Sequence, residues 1–170
     1  MNAPIPAAAT SLAGPSVPVQ KVRSPAGVEA WLVEEHSLPL IAVDFAFDGG
    51  ATRDPENAAG SAYLVSGLLD EGAGDLDAEA FQGRLADHAI SLGFDARRDD
   101  FHGHLQTLSS HRDTAFELLA LSLNAPRFDA DAVERVKGQV ISGLQRQAQN
   151  PESLCRNALY AAAFPGHPYG

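Results

Sequence analysis

The chain has 170 residues, which suits one domain and is long enough to bury a core without disulfides. Hydrophobic residues make up 45% of the sequence and charged residues 20%, a composition that excludes disorder of the whole chain. The formal net charge of −10 is spread along the sequence, which argues against nucleic acid or an anionic membrane surface as a partner.

Residues 1–20 are predicted to form a flexible leader. The first 19 residues contain no Lys or Arg and are rich in Ala, Ser and Pro, so they lack the basic start and apolar centre of a signal peptide. They are also consistent with a stub left after a signal peptide was removed from a longer precursor. As the location of the protein, the periplasm is favoured over the cytoplasm. No segment of the sequence is apolar enough to predict a transmembrane helix. The single cysteine, Cys155, excludes an internal disulfide and is predicted to be an inert helix thiol.

Alternating apolar and polar residues predict strands after the leader. The sequence Ser-Pro-Ala-Gly at residues 24–27 predicts a turn between a strand that begins near Val17 and a second strand over 28–34. A third strand is predicted over 38–48. Its apolar face is formed by Ile41, Val43, Phe45 and Phe47.

The rest of the chain is predicted to be mainly helical. Helices are predicted over residues 59–71, 78–92, 112–124, 129–149 and 152–164, and strands over 94–98 and 101–108. Asp77 is a candidate N-cap of the second helix. This order predicts an α+β fold over residues 21–170, in which helices pack on one face of an antiparallel sheet. Because the sequence stops in a turn-like segment, we expect the fold to be incomplete at its C-terminus.

Several segments resemble those of a known family. Residues 48–54 read Asp-Gly-Gly-Ala-Thr-Arg-Asp, residues 57–62 read Asn-Ala-Ala-Gly-Ser-Ala, and residues 151–153 read Pro-Glu-Ser. The last seven residues, 164–170, read Phe-Pro-Gly-His-Pro-Tyr-Gly. In this order and spacing the segments resemble the first half-domain of the pitrilysin-like (mitochondrial-processing-peptidase-type) zinc peptidases, which implies the same α+β half-domain.

The resemblance also implies where a zinc site would lie. In active members, N-x-x-G-x-A is followed by H-x-x-E-H, whose two His lie one helical turn apart and bind zinc, while the Glu activates the metal-bound water. In this sequence Tyr63 stands for the first His, Ser66 for the Glu and Gly67 for the second His. The site residues of the motif are therefore absent, because Tyr and Ser are poor zinc ligands and Gly offers none.

A further Glu on a later helix completes the site in active members. The corresponding position falls near Ser142 or Gly143, and no Asp or Glu lies between Glu134 and Glu152. The resemblance therefore implies a non-catalytic member of the family, with no catalytic residue, metal ligand or cofactor in this chain.

Two-chain members of the family suggest a function for such a chain. The preferred hypothesis is a non-catalytic subunit of a zinc metallopeptidase that closes the substrate chamber and assists the binding of unfolded peptides. Zinc is then expected only in the partner subunit. The alternative is a purely structural or assembly subunit. An active zinc peptidase with displaced ligands is disfavoured, because neither H-x-x-E-H nor H-E-x-x-H occurs.

One segment is a candidate for binding peptide. The sequence Asp95, Ala96, Arg97 stands where the resemblance implies a strand that pairs with an extended peptide, and where active members favour Asn-Ala-Tyr. The competing interpretation is a solvated hairpin tip.

The sequence also contains two pairs of histidines that are candidates for a site. His102 and His104 lie two apart on a predicted strand and face the same side, so they are candidates for a peptide-facing or metal-binding pair. A polar strand face near a former active site is the preferred interpretation, since two His alone lack the ligand set of a zinc site. His88 and His111 are predicted to approach each other in the fold.

Overall fold

The computed structural model describes residues 17–170. The chain divides into two compact units, with the boundary after Leu38. Of the predicted leader, residues 1–16 lie outside the described residues, and Val19 and Gln20 already belong to a strand.

The first unit contains the predicted β-hairpin. Strands β1 (Val19–Arg23) and β2 (Glu29–Val33) pair antiparallel, with Val19 opposite Val33 and Arg23 opposite Glu29. Gly27 adopts φ +90° in the turn, a conformation that glycine reaches without steric cost.

A three-stranded antiparallel sheet forms the centre of the second unit. Its strands are β3 (Leu40–Asp48), β4 (Ser91–Ala96) and β5 (Asp100–Leu108), in the spatial order β3-β5-β4. Strand β5 is therefore central, and β4 lies at an edge of this sheet. Val43, Phe45, Leu92, Phe94 and Leu105 face the hydrophobic core. Phe47 shares this face as predicted, with its ring centroid 5.7 Å from that of Phe45, but the residue is 51% exposed.

Five α-helices accompany this sheet in the described residues: α1 (Ser61–Ser66), α2 (Ala78–Asp87), α3 (Arg112–Asn124), α4 (Ala130–Gln147) and α5 (Pro151–Ala163). Phe81 and Leu85 of α2 and Leu118 of α3 pack on the sheet in the main core. A smaller core joins Leu68, after α1, to Ala132 and Val136 of α4. The antiparallel sheet with its helices confirms the predicted α+β class. No described helix combines the length and apolar composition that a membrane span needs.

Two predicted helices are shorter than expected. The helix predicted over 59–71 begins at Ser61, because Gly60 has φ +92°, and it ends at Ser66 with Gly67 as its C-cap. The helix predicted over 78–92 ends at Asp87, and Ala89 has φ +50°. Leu92 belongs instead to β4, where it is buried. Its apolar character fits both the helical spacing and a buried strand position, so the sequence alone did not separate the two.

Candidate functional site

The glycine pair at residues 49–50 fixes the tip of the β4–β5 hairpin. The amides of Gly49, Ala51 and Thr52 each donate to a carbonyl oxygen in residues 97–99 at 2.8 Å. A Cβ on Gly50 would lie 2.1 Å from the carbonyl oxygen of Arg97, so only glycine permits this approach. The hairpin tip is consequently held to the chain through its backbone, while the side chains of Arg97, Arg98 and Asp99 stay exposed, as expected of a solvated turn.

The C-terminal His-Pro-Tyr-Gly segment packs on the same tip. The guanidinium of Arg98 lies over the rings of Tyr160 and Tyr169, 4.3 Å and 5.4 Å from their centroids. The Tyr169 hydroxyl donates to the carboxylate of Asp99, and this hydrogen bond raises the pKa of Tyr169. The segment that carries the resemblance therefore has a structural role, since it holds the end of the edge strand.

Asp54 positions the short helix α1. Its carboxylate accepts hydrogen bonds from the amides of Gly60 at 2.7 Å and Ala62 at 2.9 Å. These amides belong to the unpaired donors at a helix start, which a nearby carboxylate stabilises. The Arg-Asp that ends residues 48–54 and the Asn-x-x-Gly that follows thus form one structural unit at the entry to α1.

Helices α1 and α4 and the edge strand β4 enclose an open groove of about 560 Å³. Its lining consists of Tyr63, Ser66, Gly67, Phe94, Asp95, Val136, Gln139, Val140, Gly143, Leu144, Arg146 and Gln147. The structure therefore brings Tyr63, Ser66 and Gly67 together with Gly143. Ser142 is exposed and lies outside the lining, so of the two candidate positions on α4 only Gly143 faces this groove.

The residues at the former motif do not fit zinc. Ser66 is buried, and its hydroxyl donates to the carbonyl oxygen of Tyr63 at 2.8 Å. A Cβ on Gly67 would lie 3.0 Å from Cγ1 of Val136, so the valine stands close to the position of a side chain there. Within residues 17–170, no group of three or more His, Cys, Asp and Glu is arranged to hold a metal ion.

Tyr63, which stands for the first His of the motif, is not a core residue. Its side chain is 52% exposed and lines the groove. The apolar face of α1 is formed instead by Leu64, which packs against the cluster that contains Leu68 and Val136. Tyr63 precedes Leu64 by one residue and therefore lies off that face.

The histidine pairs occupy other places. His102 and His104 lie on the sheet face opposite the core, across from Asp95 and Asp44 respectively, and neither lines the groove. His88 and His111 do approach each other, with their Nδ1 atoms 2.7 Å apart, a hydrogen-bond distance. That contact is too short for two nitrogens that share one metal ion at about 2.0–2.1 Å each in tetrahedral geometry.

The outer edge of β4 has free backbone groups. The amide of Arg97 donates to the carbonyl oxygen of Asp100 at 2.9 Å. In an antiparallel pair, hydrogen-bonded and non-hydrogen-bonded residue pairs alternate, so this bond shows which residues of β4 bond to β5. Odd-numbered residues of β4 therefore bond to β5, and Leu92, Phe94 and Ala96 direct their N–H and C=O groups away from it. Over the range that the structure describes, no backbone hydrogen bond joins these outward groups to another element.

An ion pair joins α4 to the residues that follow α1. Arg135 of α4 donates from both terminal nitrogens to the carboxylate of Glu71, at 2.9 Å and 2.5 Å, and the pKa of Arg135 is raised by this hydrogen bond. The neighbouring Asp70 is partly buried, and desolvation raises the pKa of its carboxyl. The segment after α1 is thus held to α4, although α1 itself has ended.

The helix α4 supplies much of the groove wall, of which the sequence analysis identified only Gly143. Val136, Val140 and Gly143 recur at helical spacing and face the groove, together with Gln139 and Gln147. This spacing is visible in the sequence, but the sequence does not show which element it faces. Ile141 is 46% exposed and lies outside the groove lining, whereas Leu144 belongs to the lining although it is 58% exposed.

Comparisons with known proteins identify the family. The model of the insulinase family, peptidase family M16, matches residues 32–170. A relative from Helicobacter pylori, "Non-peptidase homolog YmxG", is 32% identical over 135 residues, which are 79% of this chain and 31% of that protein. The chain thus spans about a third of the length of this relative.

Solved structures show the same fold. A crystal structure of a peptidase M16 inactive domain from Pseudomonas fluorescens has a TM-score of 0.81 and 31% identity, over 89% of this chain and 37% of that chain. A crystal structure of a protease from Helicobacter pylori has a TM-score of 0.75 and 18% identity, over 91% of this chain and 37% of that chain. The extent of the family match, together with the fold, shows that the chain belongs to the insulinase family of peptidases, family M16.

Proposed function

We propose that this chain is part of a non-catalytic subunit of a two-chain M16 peptidase. A partner subunit of the same family supplies the zinc, and this chain closes the chamber and assists the binding of unfolded peptide. The loss of every motif ligand together with the retained framework around Gly50, Asp54 and Tyr169 supports this proposal. The names of the relatives, a non-peptidase homologue and an inactive domain, also support it.

The observation that carries the proposal is the free edge of β4 beside the groove. An extended peptide can add to such an edge through main-chain hydrogen bonds, while pockets receive alternate side chains. Phe94 and Asp95 belong both to this edge and to the groove lining, so a peptide on the edge would place side chains against α1 and α4. A purely structural subunit has no need of this arrangement.

The test compares two proline variants on opposite edges of the sheet. The Ala96 amide points away from β5, so Ala96→Pro removes one donor from the β4 edge without breaking the ladder. Ala46→Pro is the matched control, because by the same alternation the Ala46 amide points outward from β3. Binding of a labelled, unfolded peptide is measured by fluorescence anisotropy, and cleavage of it by the zinc-binding partner is measured with and without each variant.

We expect the parent chain and Ala46→Pro to bind peptide and to raise the activity of the partner. Ala96→Pro should weaken both effects by about tenfold, the equivalent of one lost hydrogen bond of about 1 kcal/mol plus the steric cost of the ring. If the parent chain binds the partner but no peptide, and the partner is equally active without it, the chain is an assembly subunit and the assisting role is wrong. Elemental analysis of the purified chain should find no stoichiometric zinc.

A further inference from the structure

We infer that the groove prefers extended peptides that carry a carboxylate, and that Arg146 is the residue that determines this preference. The inference rests on the proposed peptide-binding function and names the chemistry of the peptide. It starts from the distribution of charge around the groove, which differs from that of the chain as a whole.

Arg146 is the only charged residue between Lys137 and Glu152, in a chain whose formal net charge is −10. It lines the groove, and in the described part of the chain no carboxylate lies within 4.0 Å of its guanidinium, unlike Arg135 and Arg127. Its charge is therefore available to a ligand.

Asp95 is the other charged residue of the groove lining, and an ion pair already compensates its charge. The Asp95 carboxylate accepts from Nε of Arg97 at 3.3 Å. The uncompensated charge of the groove is consequently positive. A guanidinium can donate two parallel hydrogen bonds to a carboxylate, which gives this pairing geometry as well as charge.

Neighbouring side chains favour the same ligand. Gln139 and Gln147 line the groove on the same helix as Arg146, and each amide can donate to a carboxylate oxygen without adding charge. The remaining wall is apolar, with Val136, Val140 and Phe94. A peptide with apolar side chains and one acidic group therefore matches the lining.

The length of the groove wall predicts the spacing within the peptide. Val136 stands beside Gly67, and Arg146 follows it by ten residues, which is about 15 Å along an α-helix. An extended strand covers that distance with roughly four to five residues. We therefore expect the acidic group about four residues from the side chain that lies beside Tyr63 and Gly67.

The test uses peptides that differ in one residue. In an uncharged ten-residue peptide with an amidated C-terminus, Glu, Gln or Lys is placed at each position in turn, and a further Gln peptide has a free C-terminal carboxylate. Binding to the full chain is measured by fluorescence anisotropy at low and high salt. The variants are Arg146→Gln and Arg146→Glu, with Arg156→Gln as the control, since Arg156 has the same charge but lies on α5 outside the groove lining.

We expect the parent chain and Arg156→Gln to bind the best Glu peptide about two- to fivefold more tightly than its Gln counterpart at low salt. Arg146→Gln should abolish this preference, Arg146→Glu should reverse it in favour of Lys, and high salt should reduce it. If only the free C-terminus strengthens binding, the carboxylate comes from the end of the peptide; if an internal Glu does so, it comes from a side chain.

Failure of the inference and failure of the proposed function give different results. If all the peptides bind equally well and Arg146→Glu changes nothing, Arg146 has no selective role, although peptide binding stands. If no peptide binds, or if Ala96→Pro leaves binding unchanged, the proposed use of the β4 edge is wrong.

Discussion

Gly50 and Arg97 are in backbone contact, so close that a Cβ on the glycine would lie 2.1 Å from the carbonyl oxygen of Arg97. This contact joins the end of β3 to the tip of the hairpin that contains the edge strand β4. We expect Gly50→Ala to lower the free energy of unfolding by about 2–3 kcal/mol, because the added methyl must push two backbones apart. Urea denaturation measures the effect.

The control for this substitution is Gly138→Ala. A Cβ at Gly138 meets no atom within 4 Å, and the residue lies inside α4. There the same change should stabilise the chain by up to about 1 kcal/mol through helix propensity. Equal urea midpoints for Gly50→Ala and the parent chain would contradict the steric argument.

Asp54→Ala should destabilise the start of α1. The substitution removes the acceptor of the Gly60 and Ala62 amides, at a cost of about 1 kcal/mol. Asp54→Asn should lose less, since the amide oxygen still accepts a hydrogen bond. Hydrogen exchange at Gly60 and Ala62 reports the change locally, and unaltered protection in Asp54→Ala would show that the carboxylate is not their partner in solution.

The stability of the chain should depend on the ionisation of Asp70. Desolvation raises the pKa of this carboxyl in the folded state, so the folded chain binds more protons than the unfolded chain just above pH 3.8, the ordinary value. The contribution of Asp70 to stability is therefore fully present below that value and is lost as the pH rises through the folded-state pKa. We expect Asp70→Asn to be more stable than the parent chain at pH 7.

Thermal unfolding at several pH values checks this expectation. The gain from Asp70→Asn should shrink as the pH falls below the ordinary carboxyl pKa, where both forms are neutral. Glu56→Gln, in an exposed loop, is the control for removing one negative charge and should show no such trend. A gain that persists unchanged at pH 3 would mean that ionisation of Asp70 is not its cause.

Rebuilding the metal motif should give weak zinc binding. The triple variant Tyr63→His, Ser66→Glu and Gly67→His restores the ligand types, but α1 ends at Ser66 and Val136 crowds the new side chain at position 67. Adding Gly143→Glu should tighten binding more than adding Ser142→Glu, because Gly143 lines the groove and Ser142 does not. Zinc titration decides between them; tighter binding with Ser142→Glu would show that α4 has a different rotation in solution.

The sequence predicts the bounds of an element correctly where the hydrophobic periodicity and a helix-breaking residue indicate the same end. Helix α3 spans Arg112–Asn124 as predicted, since helical spacing ends just before Pro126. The end of α2 could not be predicted, because Leu92 fits helical spacing and strand alternation alike. The helix ends where Ala89 adopts a left-handed backbone conformation, and an alanine in the sequence gives no sign of that conformation.

The candidate site was only partly predictable for a different reason. The resemblance indicated Tyr63, Ser66 and Gly67 by position, and the structure places all three on one groove. The exposure of Tyr63 and the place of Arg146 in the groove lining depend on how elements remote in sequence pack together. No local sequence pattern encodes that packing.

The free edge of β4 also bears on the solubility of the chain. Exposed strand edges are templates for self-pairing, through which proteins aggregate. Two copies that meet edge to edge would each bring a formal charge of −10, whereas a short neutral peptide brings none. The acidic composition therefore disfavours pairing of the β4 edge with a second copy of the chain, because the two negative charges repel each other. Salt shortens the range of this repulsion. The edge stays open to small extended ligands.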